Sequence, residues 1–405
     1  MRLELAGFEP KSVDYDFSIS SHHLIEIGLD QPIVHDNVDS DTFEQRCILY
    51  HLHDTLPMVI QFSGYSARPL SSLHELSAFS NHLIVEHRFF GESTPEEIPW
   101  DALSIEEAAN DHHRIIQKLR TIYTGPWLSS GISKGGQAAL YHRYLFPDDV
   151  DASLVYVAPL NLSFPEGRID SILAQRASSP CGERILAVQK RLLQDYDRAL
   201  SSFMKESERR GMDFPGSDST ALELSVMEYP FSFWQWDSDC LGIPDTSVSV
   251  EVLISHLFDS GSPDFFSTNT VEELYPFFYQ SYTELGMYDY PLERFDSGLQ
   301  VLTEDYSLQS YFLQPRHRNL KPDLNFHHEL AESLTKESGR LILVYGALDP
   351  WTSCAPKTER TQSLVLIHPE GNHKTRLKDF SPTIRNRVED SLSSWLEIPF
   401  QLHVR

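Results

Sequence analysis

Ser133 sits in Gly131-Ile132-Ser133-Lys134-Gly135, a serine with a glycine two residues away on either side. A serine hydroxyl is a weak nucleophile at neutral pH, so it needs an imidazole to take its proton and a carboxylate to hold that imidazole in one tautomer. The G-x-S-x-G spacing becomes meaningful when it lies between a strand and a helix. The serine then occupies a strained corner that lifts its hydroxyl clear of the sheet, and the small flanking residues let strand and helix close up. Both neighbours are present: Pro126 to Ser130 reads as a short apolar strand, and Gln137 to Phe146 places Ala138, Leu140 and Tyr141 as an amphipathic helix would.

The partners of such a serine come later in the chain, carboxylate before imidazole, each on the loop after a late strand. Asp349 follows the apolar run Arg340 to Tyr345, in Gly346-Ala-Leu-Asp349-Pro-Trp351, and His373 follows Ser363 to Ile367, in Pro369-Glu-Gly371-Asn-His373. Both loops are expected at the carboxyl edge of the sheet, where Ser133 projects. His368 competes for the role, but it is nearer its strand end and lacks the glycine that lets a loop swing back. A tetrahedral intermediate needs two backbone donors. These are expected from the amide of Lys134 and from the amide of Gly64 or Tyr65, in the loop after Phe62. The Lys134 side chain is expected to take no part, and Gly135 after it, in place of serine or threonine, argues against a phosphate-binding loop. The chemistry implied is acyl transfer to water, by a peptidase or by a carboxylesterase or lipase. A catalytically inactive binding module would lack one of the three residues.

The elements that must place these residues follow an α/β rhythm. His23 to Ile27 and Cys47 to His51 read as strands joined by the polar segment Asp36 to Asp41. Met58 to Phe62, His82 to Glu86 and Ala152 to Ala158 read as buried parallel strands, and Ser104 to Tyr123 as an amphipathic helix. Between Ser163 and Ser338 strand signals nearly vanish while aromatic residues accumulate, with helices expected over Arg184 to Lys205 and Val271 to Leu285. The fold class is therefore α/β, with a mostly parallel sheet and a large helical cap inserted before the Asp-bearing strand. Residues 1–162 form the first part of the sheet domain, 163–338 the cap and 339–405 the second part, which closes on a helix from Pro382 to Trp395.

Composition narrows the partners. Among 405 residues, 33 basic against 59 acidic side chains leave a net charge of −26, which disfavours nucleic acid and anionic membranes. No run of about 18 apolar residues suggests a membrane span. The first ten residues lack the apolar core and cleavage site of a signal peptide, which points to the cytoplasm. Cys47, Cys181, Cys240 and Cys354 are widely spaced and read as free buried thiols, with Cys181 and Cys240 the pair worth testing for a disulfide. Adjacent histidines such as His112-His113, His22-His23 and His327-His328 lack ligand spacing, so neither metal nor cofactor is expected.

Long stretches of the chain resemble the prolyl tri/tetrapeptidyl aminopeptidases, and more distantly prolyl carboxypeptidase and dipeptidyl peptidase. The matching text includes Val85-Glu86-His87-Arg88-Phe89-Phe90-Gly91-Glu92-Ser93-Thr94-Pro95, the block from Gly131 to Asp151, and Tyr156-Val157-Ala158-Pro159-Leu160. It continues with Glu228-Tyr229-Pro230-Phe231, Trp234-Gln235-Trp236, Pro276-Phe277-Phe278, Tyr288, Leu348-Asp349-Pro350-Trp351 and Gly371-Asn-His373. The resemblance implies an α/β-hydrolase fold, short peptide substrates with a free N-terminus, cleavage after proline, and a secreted or periplasmic setting. An exopeptidase must recognise an ammonium group, for which Glu86, Glu92, Glu228 and Glu284 are candidates, Glu284 ahead. A flat apolar slot for proline can come from Phe231, Trp234, Trp236, Phe278 and Trp351. The chain departs from the family in Phe62-Ser63-Gly64-Tyr65, where a glutamate more often stands in place of Ser63.

Overall fold

A computed structural model describes residues 2–11, 21–72, 74–295, 298–336, 339–358 and 362–403. The expected outer bounds of the chain's three parts at 1, 338 and 405 lie outside the described residues. A nine-stranded sheet runs through the centre in the order β1-β2-β3-β5-β4-β6-β7-β8-β9. Its strands are β1 (Glu9–Lys11), β2 (His23–Pro32), β3 (Thr42–His51), β4 (Met58–Phe62), β5 (Asn81–Val85), β6 (Trp127–Ile132), β7 (Ala152–Tyr156), β8 (Leu341–Gly346) and β9 (Ser363–His368). Pairings from β1 to β3 and on to β5 are antiparallel, and all pairings from β5 through β4 to β9 are parallel. This is an α/β-hydrolase fold.

Burial explains which strands were easy to read. Strands β5 and β7 are buried at every residue, because helices cover both faces of the parallel part. The helix Ile105–Leu119 opens on Ser104, whose hydroxyl accepts from the Glu107 amide (3.1 Å), and turns Ile105, Ala108, Ala109, Ile115, Ile116 and Leu119 inward. One apolar core surrounds the sheet, and a second fills the helices between β7 and β8.

Those helices differ from expectation in two places. Arg184 to Lys205 is not one helix but parts of Pro180–Gln194 and Tyr196–Arg210, which meet at a non-helical Asp195. The Asp195 carboxylate pairs with Arg191 one turn earlier (2.8 Å), and Leu192 and Phe203 on either side of the break enter the same core. Val271 to Leu285 divides into Thr268–Glu273, Tyr275–Gln280 and a π-helical turn Ser281–Leu285. Pro276 cannot supply the amide hydrogen that a continuous helix would need there. Cys181 and Cys240 are joined in a disulfide, correcting the reading of four free thiols, while Cys47 and Cys354 are free and buried.

No helix among the described residues is long and apolar enough to cross a membrane, and no group of three or more potential ligands there is arranged to hold a metal ion.

Candidate active site

Strand β6 passes through Ser133 into the helix Lys134–Leu145, and Ser133 holds φ 55°, ψ −122°, a conformation costly for any residue but glycine. The cost is met by close packing on both sides. A Cβ on Gly131 would run into the Gly135 carbonyl, and one on Gly135 into that of Phe62, so the corner closes around glycine alone. The amide of Ser133 donates to the Tyr156 carbonyl (2.9 Å), tying the corner to β7.

The Asp349 and His373 loops leave β8 and β9 side by side. The Leu348 amide donates to the Gly371 carbonyl (2.8 Å) and the Ala347 amide to that of His368 (2.8 Å). Gly346 and Gly371 are in contact with no room for a side chain between them. Between the two loops His373 Nδ1 and Asp349 Oδ2 lie 2.6 Å apart, with both side chains buried. A carboxylate accepts only, so Nδ1 carries the proton and Nε2 keeps its lone pair. The other carboxylate oxygen, Oδ1, takes the Trp351 amide (3.1 Å), fixing its plane.

Ser133 and His373 line one cavity of about 730 Å³, floored by the sheet edge and walled by the helices between β7 and β8. Ser63, Tyr65 and Lys134 line it too. Among the described residues neither the Tyr65 amide nor the Lys134 amide has a hydrogen-bond partner, so both are free to serve an oxyanion. Gly64 holds φ +73°, and its position against the Lys134–Gly135 peptide leaves no space for a Cβ. His368 caps the end of β9, with its ring against Phe380.

The profile of the PS-10 peptidase S37 family matches residues 14–401. The chain belongs to the peptidase S37 family. Among curated proteins it is similar to the prolyl tri/tetrapeptidyl aminopeptidase of Streptomyces mobaraensis, with 28% identity over 376 residues, 90% of this chain and 78% of the relative. Among solved structures it is similar to VinJ (12% identity, TM-score 0.41, 91% of this chain and 98% of that one). It is also similar to the proline iminopeptidase of Mycobacterium smegmatis (10% identity, TM-score 0.38, 91% and 97%). This S37 peptidase is a serine peptidase.

The four glutamates part company in the structure. Glu228 lines the cavity, buried, and accepts from Ser232 Oγ (3.1 Å), Tyr288 Oη (3.0 Å) and Tyr290 Oη (2.7 Å). Burial pushes its carboxyl up to about 7, and the three hydroxyls oppose the rise without cancelling it. Glu284 lies outside the cavity lining and accepts from the Ile105 amide (2.8 Å). Burial raises it to about 7 as well, opposed by that amide, Gln280 and Lys134. Glu86 is spent on the fold: it takes the amides of Ala67 (2.7 Å) and Ser93 (2.9 Å) and the Ser93 hydroxyl, and its charged neighbour is Arg46 (3.7 Å). Arg88, two residues on in the chain, grips Asp111 with two hydrogen bonds. Glu92 is an exposed side chain 3.5 Å from Arg46, away from the cavity.

The aromatic candidates divide likewise. Phe231, Trp236 and Trp351 line the cavity, with Phe231 stacked on Tyr288 (4.3 Å) and edge-on to Trp351 (5.4 Å). Trp234 points into a separate small cavity beside the Arg176 guanidinium (5.0 Å), and Phe278 is stacked on Phe312 (3.9 Å) inside the second core. Neither lines the cavity that holds Ser133 and His373.

Several participants escaped sequence reasoning. Arg176 donates to the carbonyls of Ala347 (2.7 Å) and Leu348, immediately before Asp349. Glu75 accepts from the amides of Leu377 and Lys378 (both 3.1 Å) and from the Tyr156 hydroxyl, anchoring the far end of the His373 loop. Arg376, half-buried at the cavity wall, donates to the His373 carbonyl (3.2 Å). Nothing in their local sequence marks them; Arg176 and Glu75 act across long separations in the chain, and Arg376 acts on a carbonyl three residues before it. Tyr288 did carry a signal, as part of the text shared with the aminopeptidases.

Proposed function

We propose that this serine peptidase is an exopeptidase that releases tri- or tetrapeptides from free N-termini by cutting after proline. The reading is carried by one observation: the His373–Asp349 hydrogen bond of 2.6 Å stands at the same cavity as the strained corner that presents Ser133. In this mechanism His373 Nε2 takes the Ser133 proton as Oγ attacks the carbonyl after proline, and Asp349 steadies the imidazolium. The amides of Tyr65 and Lys134 hold the developing oxyanion. His373 then passes its proton to the departing amine, and water, activated the same way, hydrolyses the acyl-enzyme.

The selectivity follows from the cavity walls. Phe231, Trp351 and Trp236 offer flat apolar surface for a prolyl ring, and of the four candidate glutamates it is Glu228 that lines the cavity, within reach of a bound peptide's ammonium group. Residues 163–338 act as a cap that admits short unfolded peptides. The name of the Streptomyces mobaraensis relative supports the same substrate class. Mass analysis of the products from an unblocked proline-containing peptide, beside its acetylated twin, tests the reading. Release of a tri- or tetrapeptide ending in proline from the free peptide alone is expected; equal cleavage of both would overturn it.

A further inference from the structure

Lys134 is a buried lysine, 3% exposed, in a chain position that the chemistry above uses only through its amide. Burial pulls its ammonium well below the ordinary lysine range, with Glu284 acting against that pull. Such a group is retained in an interior only where its hydrogen bonds are spoken for. Here Nζ donates to the carbonyl oxygen of Gly64 (2.8 Å), and the ammonium lies over the rings of Phe90 (4.9 Å) and Tyr65 (5.6 Å).

The bond to Gly64 has a geometric consequence. The carbonyl of Gly64 and the amide of Tyr65 belong to one planar trans peptide, so they point in opposite directions. Holding the oxygen against Lys134 turns the Tyr65 N–H the other way, and that N–H has no partner among the described residues. Gly64, at φ +73°, is the residue type most able to let this peptide rotate. A Cβ there would sit 2.7 Å from the Lys134 carbonyl carbon, so the loop lies directly over the start of the helix that Ser133 caps.

We propose that Lys134 is a positioning residue for the oxyanion hole: its ammonium fixes the Gly64–Tyr65 peptide so that the Tyr65 amide faces the oxygen developing on the acyl carbon. One residue thereby supplies both halves of the hole, its own amide directly and the second donor through its side chain. The proposal rests on Ser133 being the nucleophile, which Ser133→Ala tests separately: an active alanine variant sinks that reading, whereas the experiment below concerns the loop alone.

The test compares wild type with Lys134→Met on a free Ala-Ala-Pro anilide, on the boronic acid analogue of Ala-Ala-Pro, and on the product Ala-Ala-Pro. The boronate forms a tetrahedral adduct whose oxygen enters the hole; the product peptide does not. Loss of one oxyanion donor predicts kcat and boronate affinity falling together by roughly 10²-fold, with KM and product affinity within about threefold. A merely structural lysine would leave the boronate and product shifts equal. A folded variant that keeps boronate affinity within about threefold, or that loses boronate and product affinity alike, overturns the proposal. Lys134→Gln, which keeps a donor on a shorter side chain, is read by the same pair of inhibitors if the methionine variant does not fold.

Discussion

The backbone amide of His373 donates to the carbonyl oxygen of Gln235, 3.1 Å away, so a residue of the sheet domain is hydrogen-bonded to a residue in the helical stretch between β7 and β8. Two further contacts reinforce it. Lys374 Nζ donates to the Trp236 carbonyl (2.8 Å), and the Trp236 ring stands edge-on to the His373 imidazole (5.2 Å, 81°). Gln235 and Trp236 lie in a π-helical turn, Phe233–Asp237, a local geometry that recurs at functional sites. The proposed base is thus held from the helical stretch between β7 and β8 as well as from Asp349. Trp236→Ala is expected to lower kcat roughly tenfold, since small displacements of a reacting group cost that much or more. Trp236→Phe, which restores a ring edge, should recover most of the loss. An alanine variant with wild-type kcat would mean that the latch does not position the imidazole.

Ser133→Ala should abolish turnover while leaving the thermal transition in place, because the strain at the corner is backbone strain and glycine contacts surround it. Asp349→Asn is the finer probe. An amide side chain can donate to Nδ1 and so favour the wrong tautomer, and in serine peptidases that change costs about 10⁴-fold in kcat. Steady-state rates on a free Ala-Ala-Pro anilide decide it. A loss under about tenfold would remove Asp349 from the role proposed here.

The fold was legible because buried parallel strands write themselves as short apolar runs, and the three residues proposed to react were found because each of them follows such a run. Strand β4 matches its expected bounds, Met58 to Phe62, residue for residue. The walls of the cavity were not legible in the same way. Whether Phe231 or Trp234 faces the substrate depends on how a helix with Pro230 inside it turns into a π-helical segment, which no local pattern records. Glu86 stands two residues from Arg88 in the chain, yet the two do not pair. Its charged neighbour is instead Arg46, because β3 pairs with β5 and the register sets Cys47 opposite Val85. Sheet register, unlike strand existence, is a property of the assembled sheet.

The disulfide between Cys181 and Cys240 closes a span of 59 residues that includes Phe231 and the π-helical turn. Closing a loop of that length is worth about 4 kcal/mol in the chain-entropy account. Thiol titration of the denatured protein should find two reactive groups, Cys47 and Cys354, before reduction and four after it. Reduction is expected to lower the urea midpoint and, by loosening the turn beside His373, to reduce kcat before the protein unfolds. Four reactive thiols without reductant would show that the bridge is absent in solution.

Glu228 links pH to both stability and binding. Its carboxyl titrates at about 7 in the folded chain against an ordinary 4.5. A raised acid binds its proton more tightly folded than unfolded, so folding is favoured while the proton stays on and loses that advantage as pH rises between these two values. The change is about 3 kcal/mol at most from this residue. Denaturant melts at pH 5 and pH 8 should show the free enzyme weakening across that interval, and Glu228→Gln should flatten the dependence. An approaching ammonium group favours the ionised carboxylate, so KM for a free N-terminus should rise as pH falls below about 7, and Glu228→Gln should raise KM at pH 8 by roughly tenfold, the worth of one charge-assisted hydrogen bond. If the variant instead binds the free peptide as tightly as the wild type, the ammonium is recognised elsewhere in the cavity.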